Sequence, residues 1–293
     1  MTILLTGGSR GKTSSRIARL LAQADIPFVV ASRTVYDKVP YVQAQFDWED
    51  KTTYSKLFAD AKAKTGKPVS AVYLVPLENK NVGQQLRDFI DVAVKENNVS
   101  RIVLLSAASV EKGSFGWGEG HEHLVKLHEE VGLEYAVLRP SWFQENFSEF
   151  IYLPHIKNEG KIYSAMQDGP LPLISADDIA AVAFRTLTDP RPHNTDYILL
   201  GPTNWTYDEV AKILSDVVGK PITHVKQSKE EQVKFFISAG MREEYAHLMA
   251  DLEAEYVASG AEGQLSSNAV VKVTGRPPKG FVEFALKNRQ VWV

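Results

Sequence analysis

Ile3-Leu4-Leu5-Thr6-Gly7-Gly8-Ser9-Arg10-Gly11-Lys12-Thr13-Ser14-Ser15 is the stretch that decides the fold. A short apolar run enters a glycine-rich loop, and the small polar residues beyond it open a segment with Ile17, Leu20, Leu21 and Ala24 on one helical stripe. Strand, glycine loop and helix in that order form a cradle for a dinucleotide pyrophosphate. Gly8 supplies a tight turn, Gly11 lets backbone approach the phosphates, and Ser14 is small where helix packs on strand. The N–H groups at the helix start then face the anion. The ending Gly11-Lys12-Thr13 also resembles a P-loop, but that motif needs glycine five residues before Gly11, and Thr6 stands there.

Working outward, continuous apolar runs at 3–6, 28–31, 71–75, 102–105 and 135–138, with a weaker one at 42–46, alternate with amphipathic stripes. Leu86/Phe89/Ile90/Ala93 and Leu124/Leu127/His128/Val131 are two such stripes. Alternation of this kind predicts an α/β fold, a Rossmann-like doubly wound parallel sheet. After Pro140 prolines and glycines loosen the rhythm, and the second half is not expected to repeat that sheet. Ser175-x-x-Asp178 and Thr206-x-x-Glu209 each signal a helix start there, and the stretch 228–262 is charged and helical in period.

Composition narrows the partners. The 293 residues are 44% hydrophobic and 24% charged, which fits a folded globular chain. There is no cysteine, so disulfides, thiolate metal sites and cysteine nucleophiles are excluded. With 33 basic and 36 acidic residues the net charge is −3, which offers no general attraction to nucleic acid or anionic membrane. No apolar run is long enough to span a bilayer and the start breaks too early for a signal peptide, so a cytoplasmic protein with a small-molecule substrate is expected.

After the second strand, where an Asp or Glu would bind a free ribose 2′-hydroxyl, the chain carries Ser32-Arg33. A guanidinium fork beside a hydroxyl suits a 2′-phosphate, so NADP(H) is the expected cofactor.

With Thr6 to Ser14, Ser32-Arg33, Asp47-Trp48, Leu104-Leu105-Ser106-Ala107, Leu138-Arg139-Pro140-Ser141-Trp142-Phe143-Gln144-Glu145-Asn146-Phe147 and Asp177-Asp178-Ile179-Ala180 in this order, the chain resembles the NmrA-like branch of atypical short-chain dehydrogenase/reductases. Gly160-Lys161-Ile162-Tyr163-Ser164-Ala165, Pro192-His193-Asn194-Thr195-Asp196-Tyr197 and Leu199-Leu200-Gly201-Pro202 make it similar to the fungal festuclavine and agroclavine dehydrogenases of ergot alkaloid formation. The resemblance implies an NADP(H)-binding Rossmann domain over 1–150, with 175–200 packing back onto it. It also implies a small C-terminal substrate lobe from 151–174 and 201–293.

Position by position, it places Gly8, Ser9, Gly11, Lys12 and Thr13 at the pyrophosphate, with Thr6 and Arg10 counted in the same loop. Ser32 and Arg33 fall at the 2′-phosphate and Asp47 and Trp48 beside adenine. Val75, Pro76 and Ser106 then line the path to the nicotinamide, and Pro140, Phe143 and Asn146 close its far side.

Against that pattern, the Tyr-x-x-x-Lys frame of typical short-chain reductases reads Trp117-Gly118-Glu119-Gly120-His121 here. A ketone taking hydride needs a proton, and a placed acid contributes about 10²–10⁴ in rate. An iminium carbon needs none, so the missing tyrosine argues for C=N reduction. Ser106, Trp117 and His121 are the candidate catalytic residues, with His121 the alternative acid. His121, His123 and His128 do not have metal-site spacing, because His-Glu-x-x-His would need His at 125, which is Val. Trp117, Trp142 and Phe143 are candidate contacts for a cationic polycyclic indole alkaloid, with Glu145 or Glu119 as counter-charge. Two other readings stay open: a cyclase using NADP(H) as redox mediator for a ring-forming step, and an NmrA-like NADP sensor without turnover.

Overall fold

The structure, a computed structural model, describes residues 2–36 and 39–293. Its strands are β1 (Thr2–Leu5), β2 (Phe28–Ser32), β3 (Gln43–Gln45), β4 (Val69–Leu74), β5 (Arg101–Leu105), β6 (Glu134–Pro140), β7 (Lys161–Ser164), β8 (Thr195–Leu199) and β9 (Thr223–Lys226). The chain divides into two compact units, Met1–Pro140 with Ile179–Ile198, and Ser141–Asp178 with Leu199–Val293.

The sheet of the first unit runs β3-β2-β1-β4-β5-β6-β8, and the pairings among β1 to β6 are parallel. Helices α1 (Ser14–Gln23), α2 (Thr52–Thr65), α3 (Val82–Asp91) and α4 (Trp117–Val131) connect the strands in turn. Because helices cover the sheet, β1 is buried throughout, as its unbroken apolar run requires. Phe46, Trp48, Tyr54 and Phe89 pack into one aromatic group, with Phe46 4.9 Å from Trp48 and 5.1 Å from Phe89 between ring centroids. From β1 the chain builds outward to β3, then returns to β4 on the other side of β1. Doubly wound sheets bind ligands at the strands' carboxyl ends where the strand order reverses, which here falls between β1 and β4.

In the second unit β7 and β9 form a two-stranded parallel sheet. Around it lie α5 (Asn146–Glu149), α6 (Leu153–Glu159), α8 (Tyr207–Val218), α9 (Lys229–Ser238), α10 (Glu243–Asp251), α11 (Ala269–Thr274) and α12 (Phe281–Asn288), while α7 (Ala176–Thr188) follows Ser175. Thr206 with Glu209 and Ser228 with Glu231 close reciprocal capping boxes, so α8 and α9 start where those spacings put them. The core gathers Phe147, Tyr152, Tyr207, Phe236 and Trp292, and the Trp292 indole N–H donates to the Phe147 carbonyl at 2.7 Å.

Two polar arrangements with buried members belong to this core. Glu253, in the π turn that continues α10, accepts from the Ala165 N–H at 2.8 Å and the Tyr152 hydroxyl at 3.3 Å. Burial raises its pKa to about 8 against those two donors. Across β7 and β9, Ser164 Oγ lies 2.8 Å from His224 Nε2, and His224 Nδ1 lies 3.0 Å from Asp208 Oδ1.

Three features depart from the sequence reading. It assigns no strand or helix between Phe46 and Ala71, where α2 buries Tyr54, Leu57, Phe58 and Ala61. It does not foresee β7 and β9, or β8 as the seventh strand of the large sheet. No helix among the described residues is long and apolar enough to cross a membrane.

Candidate functional site

The loop after β1 is held from within. Thr6 receives the Val75 N–H on Oγ1 at 2.9 Å and donates its own N–H to the Tyr73 carbonyl at 3.1 Å, tying the end of β1 to β4. Gly8 turns the chain with φ +71°, a conformation that side chains resist. A Cβ on Gly11 would overlap the Gly7 carbonyl, and one on Gly7 would overlap the Ser14 side chain. Crowding inside the loop is therefore what demands glycine at Gly11, and not only the approach of a phosphate. Gly7 is a third required glycine that the motif spacing does not single out. Thr13 precedes α1 without capping it by side chain, so the N–H groups of the first turn lack a side-chain acceptor there. Ser9 and Lys12 flank Arg10 and Gly11 at the mouth of the same loop, half-buried.

Beside this loop lies the end of β2. Ser32 Cβ is 3.4 Å from where a Gly8 Cβ would stand, so the two expected phosphate contacts are neighbours. The Ser32 hydroxyl donates to the Thr34 carbonyl at 2.5 Å. Arg33 is exposed and has no carboxylate partner among the described residues. Asp47 Oδ1 accepts from the Glu49 N–H at 3.0 Å. Trp48 is a core ring whose indole N–H donates to the Val75 carbonyl at 3.1 Å, so its side chain fixes the β4 exit. Val75 is half-buried and Pro76 buried at that exit.

At the end of β5, Ser106 is 3% exposed and its hydroxyl has no hydrogen-bond partner among the described residues. Its N–H donates to the Leu138 carbonyl at 2.7 Å. The segment that follows is pinned by a buried arginine the sequence reading does not single out. Arg139 donates to Asp196 at 2.9 Å, to Glu111 at 2.7 Å and to the Ala108 carbonyl at 3.0 Å, and Pro140 accepts from the Ala108 N–H at 2.9 Å. His121 is 5% exposed beside this network. Burial lowers its pKa, the Arg139 and Lys112 cations act the same way, and the opposing pull of Asp196 and Glu111 does not reverse it. Trp117, first residue of α4, packs half-buried against the core of this unit. The other histidines of α4 have separate partners: His123 meets Asp91 at 2.8 Å and His128 the Leu133 carbonyl at 2.9 Å.

Both candidate counter-charges are otherwise engaged. Glu119 pairs with Arg87 at 2.9 Å and accepts from the Gly116 N–H at 3.2 Å. Glu145, 2% exposed, accepts from the Ala176 N–H at 2.8 Å and the Ser175 hydroxyl at 3.2 Å. Through these two bonds it holds the start of α7, and its role as a substrate counter-charge stays a proposal. Within the second unit Trp142 packs half-buried on the core, Phe143 bridges to Ile174, and the Asn146 N–H donates to the Phe143 carbonyl at 3.1 Å. Of the aromatic residues nearby, Phe147 and Tyr152 are core, whereas Phe150 is exposed.

A parallel sheet that reverses direction beside a glycine loop and a helix start defines a Rossmann-type protein of the kind that holds dinucleotides. The chain belongs to the NmrA-like family, whose model matches residues 67–275. It is 43% identical to the agroclavine dehydrogenase of Claviceps fusiformis, over 100% of this chain and 99% of that one. It is 41% identical to festuclavine synthase I of Penicillium roqueforti over the full length of both. Among solved structures it is similar in fold to the Citrobacter sp. triphenylmethane reductase complexed with NADP(H), with a TM-score of 0.76, 21% identity, and 99% of this chain and 100% of that one covered. The chain is an NmrA-like oxidoreductase.

Proposed function

We propose that this protein is an NADPH-dependent reductase acting on the cationic C=N group of an indole alkaloid of the ergot type. The observation that carries this reading is the full-length likeness to dehydrogenases named for agroclavine and festuclavine and to a festuclavine synthase. The residues fit the cofactor: a glycine turn at positive φ, a helix start lacking a side-chain cap, and an exposed arginine without a carboxylate partner among the described residues. Gly8, Ser9, Gly11, Lys12 and Thr13 would hold the pyrophosphate, and Ser32 and Arg33 the 2′-phosphate.

Bound there, NADPH supplies a hydride. The candidate acid, His121, is not poised to give a proton. His121 is buried and its pKa is depressed, so at neutral pH it is uncharged and a poor proton donor. An iminium carbon accepts the hydride pair while its nitrogen cation becomes a neutral amine, and no proton is needed. Trp142 and Phe143 of the second unit are assigned as aromatic faces for a flat organic cation, and Trp117 of the first unit stays a separate candidate contact. The first unit is assigned to the cofactor and the second to substrate selection.

The test is turnover of a cationic clavine iminium with NADPH deuterated at C4. Deuterium at the former iminium carbon, with one NADPH oxidised per amine formed, is the expected result. Ring formation without net NADPH oxidation would favour the cyclase reading. Tight NADPH binding with no turnover of any iminium would favour the sensor.

A further inference from the structure

The loop between β2 and β3 is stitched to the phosphate loop at three successive points. Ser32 abuts Gly8, the Tyr41 hydroxyl donates to the Ser9 carbonyl at 3.3 Å, and the Arg10 guanidinium carbon stands 4.6 Å over the centroid of the Tyr36 ring. Tyr36 is itself fixed. Its N–H donates to Gln43 Oε1 at 3.2 Å, and Gln43 Nε2 donates back to its carbonyl at 2.6 Å. Gln43 is 7% exposed and opens β3, in register with Val30, so this clamp is anchored in the sheet.

The consequence is electrostatic. Arg10 and Arg33 rise from the two sides of this seam, both exposed, and neither has a carboxylate partner among the described residues. One guanidinium follows Gly8 by two residues and the other follows Ser32, which abuts Gly8, so an anion at that junction is the group both can reach. An aromatic face orients a cation without neutralising it, so Tyr36 holds Arg10 in place while its N–H donors stay available.

We propose that Tyr36 is a positioning residue for cofactor selection, its ring presenting Arg10 so that Arg10 joins Arg33 on the ribose 2′-phosphate. This rests on the NADPH reading above and deepens it. Selection for the phosphorylated cofactor is then a property of two arginines and one ring, and Gln43 sets the ring.

The experiment measures binding of NADPH, NADH, adenosine 2′,5′-bisphosphate and 5′-AMP to the full chain and to Tyr36→Leu, Tyr36→Phe, Arg10→Ala and the Tyr36→Leu/Arg10→Ala double variant. Tyr36→Leu is expected to weaken NADPH and the bisphosphate by about fivefold or more and to leave NADH and 5′-AMP unchanged. Tyr36→Phe, which keeps the ring face, restores wild-type selectivity. In the double variant the two losses do not add, because both remove one contact. Equal weakening of all four ligands by Tyr36→Leu, or additive losses, would overturn the proposal. A wild-type chain that binds NADH as tightly as NADPH would instead overturn the cofactor reading beneath it.

Discussion

Glu253 offers a quantitative check on the core of the second unit. Its carboxyl is 0% exposed, and burial raises its pKa from 4.5 to about 8 although Ala165 and Tyr152 both donate to it. The folded chain therefore keeps this proton at neutral pH while the unfolded chain releases it. A group whose folded pKa is raised contributes fully below the unfolded value of 4.5, and its contribution erodes as pH climbs to about 8. Each pH unit in that window removes about 1.4 kcal/mol, and the whole window about 5 kcal/mol as a ceiling. Glu253→Gln keeps the shape and has no proton to lose. Its amide oxygen can accept from Ala165 while its NH₂ faces the Tyr152 oxygen. Urea unfolding of both proteins across this pH range should give curves that diverge toward high pH, with the variant gaining about 2 kcal/mol or more relative to wild type between roughly pH 5 and 8. Parallel curves would refute the reasoning, since Glu253 would then ionise alike in both states.

Other outcomes follow from the first unit. Arg33→Ala should weaken NADPH by about tenfold or more while leaving NADH unchanged, as read by fluorescence titration. Gly11→Val, whose Cβ overlaps the Gly7 carbonyl, should lower NADPH affinity by about 100-fold with the far-ultraviolet dichroism of a folded chain retained. His121→Gln should keep at least about a tenth of kcat on an iminium, where loss of a true general acid costs about 100-fold or more. Arg139→Met removes the donors to Asp196, Glu111 and Ala108 and should lower unfolding free energy by about 2 kcal/mol or more in denaturant titration.

How far the sequence carried can be judged element by element. The strands of the first half are legible because residues buried on both faces leave an unbroken apolar run, as Val29 to Ala31 and Ile102 to Leu105 do. Helix α2 has the right spacing at Tyr54, Leu57, Phe58 and Ala61, but lysine and alanine dilute the contrast between its faces. Strands β7 and β9 are four residues long and carry lysine, threonine and histidine, so no periodicity can announce them. At the site, the glycine loop and Ser32-Arg33 are local and readable. Partners distant in sequence are not. That Glu145 is consumed by Ser175 and Ala176, about thirty positions on, depends on packing that no motif encodes. The same holds for Trp48 against Val75, and for Arg139 joining Ala108, Glu111 and Asp196.

The contact chain Ser164, His224 and Asp208 has the interatomic spacing of a hydrolase's relay, with nucleophile, base and orienting acid in sequence. Access decides otherwise. Ser164 is 0% exposed, the imidazole is fully covered, and Ser164 Oγ also accepts from the Met166 N–H at 3.3 Å. Distances alone would misfile this protein among the serine esterases. Ser164, under the covered imidazole, is better regarded as a covalent reporter under seal. A serine-directed fluorophosphonate can reach Ser164 only when β7 and β9 part, so its labelling rate would time the breathing of that small sheet.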